Sequence, residues 1–298
     1  AFTGCRTDIP DGMPVTGQTV KTGDIVKVPL QLNSGGYATR APNEEQENTW
    51  DNVWMAQFRE NGSIEPTTIG EYFNSNINMV DIVVGNPNEN MTFYFVLNTS
   101  VNPFLDSSSQ PYATLNDFLA SSYEISAQSD IENNNLLVMV GTWTGEIVNE
   151  SNQMAVRKME VYARRLTSKI DITVRADKSG IPGVYQFRKI EIQDIQICAT
   201  PVSMTMGEGS HATLAAQLRD LPAITPTMTS QPTDEILVYQ VPTYYLLENM
   251  QGNAGPDTAT DGEKNTNAES AGIDDVATYL YIWAKVIDGL NDGVVRYK

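Results

Sequence analysis

Histidine is nearly missing from this sequence. Of 298 residues only His211 is one, so little here can exchange a proton near neutral pH. A hydrolytic triad needs such a base. His211 lies in Gly207-Glu208-Gly209-Ser210-His211, with Ser210 as its immediate neighbour. Adjacent residues do not face each other as nucleophile and base, so His211 reads as a loop residue. No Gly-x-Ser-x-Gly elbow surrounds any serine, and neither the dinucleotide-binding glycine pattern nor the phosphate-binding loop is present. Cysteine is equally scarce. Cys5 and Cys198 are the whole supply, which excludes a disulfide framework and any Cys/His zinc cluster. Basic residues number 19 against 37 acidic ones, a net charge of −18. That balance excludes nucleic acid as a partner, because phosphate binding needs clustered Lys and Arg. It also opposes docking on an anionic membrane face. No run of about 18 apolar residues occurs, so no helix is expected to span a membrane.

Two carboxylate chemistries stay open. Paired acids can hydrolyse glycosides, and that pairing is spatial. Trp50, Trp54, Trp143 and Trp283 could line a sugar cleft, although Trp54 and Trp143 fall in alternating segments and read as core. Asp257, Asp261, Asp274 and Asp275 carry oxygens suited to calcium, but their spacing is not that of an EF-hand. No metal and no cofactor is expected.

Hydrophobic residues make up 41% of the chain and charged residues 19%, values of a folded protein long enough for two domains. Residues 6–22 are rich in Gly, Pro, Thr and Asp and read as a tether. In Asp24 to Leu32, Val26, Val28, Leu30 and Leu32 recur at period two, with Lys27, Pro29 and Gln31 between them. This predicts a half-buried strand, and Pro29 places it at a sheet edge. Further short strands are predicted at Val53–Phe58, Met79–Val84, Met91–Leu97, Leu136–Val140, Val156–Tyr162, Leu166–Val174, Tyr185–Ile197, Ile236–Val241, Thr278–Val286 and Val294–Tyr297. Asn61-Gly62 marks a turn. Within Tyr185–Ile197 the apolar parity slips twice, from Tyr185/Phe187 to Ile190/Ile192 and back to Ile195/Ile197, the mark of β-bulges. Cys198 ends that run and reads as a small buried side chain. Helix signals are few: one or two turns after Thr114 as N-cap, and another at Ala212 to Leu218. The pattern is all-β, with a boundary near residue 165, where Arg164-Arg165 precede a new alternating stretch. Gly252 to Asp275 forms a long polar loop.

The opening Phe2-Thr3-Gly4-Cys5 resembles a bacterial lipobox, with small residues before the cysteine. Several phrases in fixed order resemble the fimbrillin-type lipoproteins of Bacteroidales. They are Thr39-Arg40-Ala41 with the later Asn52-Val53-Trp54-Met55-Ala56-Gln57-Phe58 and Asn61-Gly62; Leu137-Val138-Met139-Val140-Gly141, where Val140 stands in place of the family's serine; Arg165-Leu166-Thr167-Ser168-Lys169-Ile170; Tyr244-Tyr245-Leu246-Leu247-Glu248-Asn249-Met250-Gln251-Gly252; and Ala277-Thr278-Tyr279-Leu280-Tyr281-Ile282.

The resemblance implies two tandem transthyretin-like β-sandwiches with few short helices. Residues 1–40 would form a lipobox, tether and detachable strand, 41–165 the first sandwich and 166–298 the second. It implies lipidation of Cys5, an arginine-specific cut between Arg40 and Ala41, and loss of the strand carrying Val26, Val28, Leu30 and Leu32. Other fimbrial subunits would be partners by β-strand complementation, with a host or bacterial surface ligand besides. The location would be the cell surface, as an outer-membrane lipoprotein, a fimbrium, or both. Family members usually continue beyond the equivalent of Val294 to Tyr297 with at least one more strand, whereas this sequence stops at Lys298: either it is truncated and the second sandwich incomplete at its C-terminus, or a terminal donor segment is missing, and no C-terminal donor role is assigned to these residues. Asp257-Thr258-Ala259 resembles an O-glycosylation acceptor of this bacterial group. The competing expectations are a lipid-anchored surface protein that binds glycan or host protein without polymerising and, a distant third, a glycoside hydrolase.

Overall fold

Alternating apolar residues need a partner sheet on one side, and the fold follows from where each alternating segment finds one. In a computed structural model, residues 19–34, 50–73, 78–124, 137–177, 189–207, 215–231, 236–249, 276–287 and 292–297 are described. Their architecture is overwhelmingly β and sandwich-like, with one short α-helix, as the sequence pattern predicts. The chain divides into two units. One is Ala1–Ser121 with Ile131–Leu166, the other Ser122–Asp130 with Thr167–Lys298.

The first unit contains β1 (Ile25–Ser34), β2 (Asn52–Phe58), β3 (Ile64–Phe73), β4 (Met79–Val83), β5 (Asn90–Leu97) and α1 (Leu115–Ala120). After β6 (Ser122–Glu124), which joins the second unit, it resumes with β7 (Met139–Glu146) and β8 (Met159–Arg165). The strands are ordered β3-β2-β5-β7-β8-β1-β4. Their inward residues meet in one core: Val53 and Met55 of β2, Val80 and Ile82 of β4, Phe93 and Phe95 of β5, Met159 and Val161 of β8.

β5 is buried on both faces. Its second face is covered by α1, whose Phe118 lies 5.0 Å from Tyr94, 4.8 Å from Phe104 and 6.1 Å from Phe58, centroid to centroid. Such ring pairs add to what their area alone contributes. α1 is short and depends on its cap. The Thr114 hydroxyl accepts from the Asp117 amide while Asp117 accepts from the Thr114 amide, which forms a capping box.

The Asn61-Gly62 turn joins β2 to β3, with Gly62 at φ +82°, a backbone state that glycine adopts at no steric cost. β3 is absent from the predicted strands. It is the edge of its sheet, carries Pro66 and buries little, so it shows no apolar alternation. β7 also begins and ends later than predicted, because its outer half, Thr142 to Glu146, is polar and half-exposed.

The second unit holds β9 (Thr167–Ile170), β10 (Thr173–Asp177), β11 (Lys189–Cys198), β12 (Thr200–Pro201), β13 (Ser203–Thr205), β14 (Leu218–Arg219), β15 (Thr227–Met228), β16 (Ile236–Gln240), β17 (Tyr244–Leu247), β18 (Tyr279–Ile287) and β19 (Asp292–Tyr297). Sheets β10-β16-β15 and β11-β18-β19 share a core of Ala176, Ile192, Ile195, Leu237, Tyr239 and Ala284. The β11–β18 register slips between Ile192 and Asp194, which is the second parity change read from the sequence. The first falls at residues 187–190, whose side chains lie outside the described residues. Cys198 is fully buried at the end of β11, as expected. Of the helix predicted at Ala212 to Leu218, the described part is a single 3-10 turn, Ala215–Gln217, followed by β14.

Gln57 places a polar side chain inside the first unit. Gln57 is fully buried on β2, and its amide spans to β4: Nε2 donates to Val83 O at 2.7 Å and the Val83 amide donates to Oε1 at 2.9 Å. It serves β4 as a strand neighbour would. Gln57→Leu keeps the volume but leaves the two Val83 groups unsatisfied, at about 1–3 kcal/mol each. Urea unfolding should therefore show the first unit destabilised by about 3 kcal/mol. A shift below about 0.5 kcal/mol would mean that water replaces the amide without loss.

Candidate functional site

The site of interest is the seat of β1. Its four alternating residues face the same core: Val28 is fully buried, and Val26, Leu30 and Leu32 are half-buried against that cluster. Fully burying a valine or leucine side chain contributes about 2 kcal/mol, so the four together supply roughly 5 kcal/mol. That compares with about 5–15 kcal/mol for the whole stability of an ordinary domain.

The strand has two partners in succession. Ile25 to Pro29 run antiparallel to β4, from Ile25↔Val83 to Pro29↔Met79. Leu30 to Ser34 run parallel to β8, from Leu30↔Met159 to Ser34↔Ala163. Pro29 stands at the handover, with no amide hydrogen to place. The Leu30 amide still reaches back to Asn78 O at 3.1 Å. The edge expected from Pro29 is therefore local: each half of β1 has one hydrogen-bonded neighbour, yet the strand as a whole lies between β8 and β4.

The outward face is polar. Lys158 Nζ donates to Gln31 Oε1 at 2.6 Å, Asn33 Nδ2 donates to Glu160 Oε1 at 3.4 Å, and Lys27 lies 3.9 Å from Asp81. These pairs are exposed and hold little energy. Register on the seat comes from the inward residues.

Thr19 to Thr22, read from composition as the end of a tether, are seated as well. Val20 is buried and its amide donates to Asn152 O, Thr19 bridges Gln153, and a turn at Lys21 to Asp24 links to Val84. Beyond the seat, Gly141 of β7 lies against β8. A Cβ there would meet Val161 Cγ1 at 2.6 Å, Tyr162 O at 3.2 Å and Ala163 Cα at 3.3 Å. Glycine is thus what lets β7 approach the strand that holds Leu30 to Ser34.

Tyr72, at the end of β3, closes the other flank. Its phenol oxygen accepts from the Asp81 amide at 3.4 Å, and burial pushes its pKa above the ordinary tyrosine value.

Of the residues singled out from sequence, Val26, Val28, Leu30 and Leu32 are brought together. Cys5, Arg40, Ala41, His211, Asp257, Asp261, Asp274 and Asp275 lie outside the described residues. Trp54 and Trp143 are half-buried. The Trp54 indole donates to Thr99 O at 3.2 Å, and Trp143 packs edge-on against Phe93. Trp50 is the more buried tryptophan, at 8% exposure. Sequence reasoning missed Gln57 and the second partner of β1. A polar residue at the interior end of the apolar run Val53 to Phe58 was the available signal for Gln57. Among the described residues no group of three or more His, Cys, Asp or Glu is placed to hold a metal ion. No described helix is long and apolar enough to cross a membrane.

The chain's structural neighbours are adhesion and fimbrial proteins of Bacteroidales. A candidate cell adhesion protein from Bacteroides eggerthii aligns over 96% of this chain and 80% of its own, with a TM-score of 0.50 at 16% identity. This likeness shows a shared fold. A fimbrial assembly protein from Parabacteroides distasonis aligns over 92% of this chain and 86% of its own, at 15% identity and a TM-score of 0.48. The tip fimbrial protein Mfa3 from Porphyromonas gingivalis aligns over 91% and 81%, at 15% identity and 0.40. None of the three is described as an enzyme. No family model matches the chain, and no curated protein does.

Two outcomes test the seat. Val28→Ala should cost about 2 kcal/mol of first-unit stability in chemical denaturation, whereas Lys27→Ala should change it by less than about 0.5 kcal/mol. Tyr72 supplies a pH signature. A phenol whose folded pKa is raised stabilises the fold fully below its unfolded value of 10.0 and loses that contribution as pH climbs through the folded value. The unfolding midpoint should therefore fall above pH 10 more steeply in the parent than in Tyr72→Phe. Equal slopes would remove Tyr72 from the seat's energetics.

Proposed function

We propose that this chain is a fimbria-associated adhesive subunit of the bacterial cell surface whose first strand is exchanged for a strand of another subunit. One observation carries the reading. β1 pairs with β4 and β8, and not with β2, which follows it in sequence. Residues 35–49 are thus its covalent link to the rest of the fold on that side, and Arg40-Ala41 lies within that link. A cut there makes residues 1–40 a separate segment held only by burial and hydrogen bonds. The roughly 5 kcal/mol of side-chain burial keeps the segment in place. Release therefore calls for an incoming strand with an equivalent apolar face, which regains the ladder bonds as it enters.

The fold shared with the Bacteroides eggerthii protein and the adhesion and fimbrial descriptions of the neighbours support the coarser part of this reading. The finer parts are ours. They are two tandem transthyretin-like sandwiches over 41–165 and 166–298, a diacylated Cys5 as outer-membrane anchor, and other fimbrial subunits as strand donors. A single lipidated cysteine holds a protein at a membrane without spanning it.

The test is cleavage followed by exchange. Protein treated with an arginine-specific protease is compared with Arg40→Ala, before and after addition of a synthetic peptide copying Asp24 to Asn33. In the parent, the 1–40 fragment should co-elute with the body after cleavage and be displaced by excess peptide. Arg40→Ala should keep its first strand throughout. If the cut protein neither releases the fragment to excess peptide nor assembles on prolonged incubation, strand exchange is wrong. The non-polymerising surface binder then becomes the better reading.

A further inference from the structure

The segment that carries β1 has a second hold on the first unit, ahead of the strand. Val20 is 5% exposed and belongs to the same core cluster as Val28. Its amide donates to Asn152 O at 2.9 Å, and Thr19 bridges Gln153. The turn that receives Val20 is itself fixed. Asn149 Oδ1 accepts from the Ser151 and Gln153 amides, and the Asn149 amide donates to Gln153 O. From Val20 the chain bends through Lys21 to Asp24, with Gly23 at φ +90°. The bend is tied to the residues just after β4: the Gly23 amide donates to Val84 O at 2.8 Å, and Thr22 Oγ1 donates to Gly85 O at 3.2 Å.

The other end of the segment is held less firmly. Val28 is fully buried, but Leu30 and Leu32 beyond it are only half-buried. The side-chain bonds of that half, Lys158 to Gln31 and Asn33 to Glu160, are exposed. Arg40 follows Ser34 by six positions, so a cut there puts a new chain end beside the weaker half. Chain ends fray before cores open. Fraying bares β8 from Met159 to Ala163, whose ladder partner is β1, since the pairs of β8 with β7 are at Arg164 and Arg165. Bared backbone of this kind is ready to pair with an incoming strand.

We infer that the cut segment leaves from its Ser34 end and that Val20 is the last group to let go, so an incoming strand docks on β8 while the old segment is still attached. The inference rests on the exchange reading above and orders its steps. A strand entering in the polarity of β1 seats its C-terminal half first. Its residues matching Leu30 and Leu32 meet the core before those matching Val26 and Val28. At Pro29 the displacement passes from β8 to β4. Once β1 is replaced as far as Asp24, Thr19 to Gly23 still hold Asn152, Gln153, Val84 O and Gly85 O, contacts that a strand beginning at Asp24 does not contest. Val20 therefore keeps the displaced segment beside the filled seat until its own side chain leaves the core.

The test uses the full chain cut after Arg40. Without any peptide, hydrogen exchange over residues 30–34 should be faster than in the uncut chain by about tenfold or more, with the Val20 and Gly23 amides at their uncut rates. A fluorophore on Cys5 then follows the segment, and a labelled peptide copying Asp24 to Asn33 follows capture. Capture should precede loss of the segment, so that both are bound together for an interval. Val20→Ala should shorten that interval by about tenfold and leave the capture rate within about twofold. Leu32→Ala should speed capture and leave the interval unchanged. Val20 and Gly23 amides that quicken as much as residues 30–34 would overturn the inference, as would a Val20→Ala segment lost at the parent rate. Failure to capture any peptide would count against strand exchange itself, and the hydrogen-exchange contrast would still decide which end of the segment opens first.

Discussion

The first unit depends on a handover made at a residue that cannot donate a hydrogen bond. At Pro29 one strand leaves β4 and takes up β8, so the first of the described strands ties two others into one sheet. The other described supports of the β4 backbone are side chains: Gln57 on Val83 and the Tyr72 phenol on the Asp81 amide. β8 touches β7 through two residue pairs, Met139↔Arg165 and Val140↔Arg164, and continues along β1. Beyond those contacts, both neighbours of β1 look to it for their ladders. Unpaired backbone in an apolar setting is costly. The seat is therefore stable when filled and demanding when empty, by any segment of the right face.

Much of this was legible in the sequence because it rests on side-chain alternation. The inward face of β1, the turn at Asn61-Gly62, the cap at Thr114 and the bulge beyond Ile192 all follow from local chemistry. What stayed illegible rests on pairing between distant segments. β3 is an edge strand whose exposed polar faces leave no periodic mark. Nothing in Ile25 to Ser34 says that its second half will lie parallel to residues more than 120 positions away. Pro29 gave half of the answer: it marked a strand short of partners, but not that the shortage is divided between two of them.

The glycine at the end of Leu137-Val138-Met139-Val140-Gly141 shows how a phrase recognised by resemblance acquires a physical reason. Position 141 lies against Val161 with no room for a methyl group. Val140, where the resembled family has serine, is buried, so a larger apolar side chain fits there without disturbing that contact. The acidic surface acts at another level. A charge of −18 keeps copies of this chain apart at long range and leaves short-range fit to decide which segments dock.

The direction of β1 has a consequence for symmetry. Its first half is antiparallel to β4 and its second half parallel to β8, so a segment that reproduces the same ladders must enter in the polarity of β1. A segment supplied by a neighbour would enter in that polarity and use a surface different from the one it fills. Such a contact is heterologous. Passed one way from subunit to subunit it would propagate as a ring or an open helical line, whereas reciprocal exchange between two copies would close as a swapped dimer.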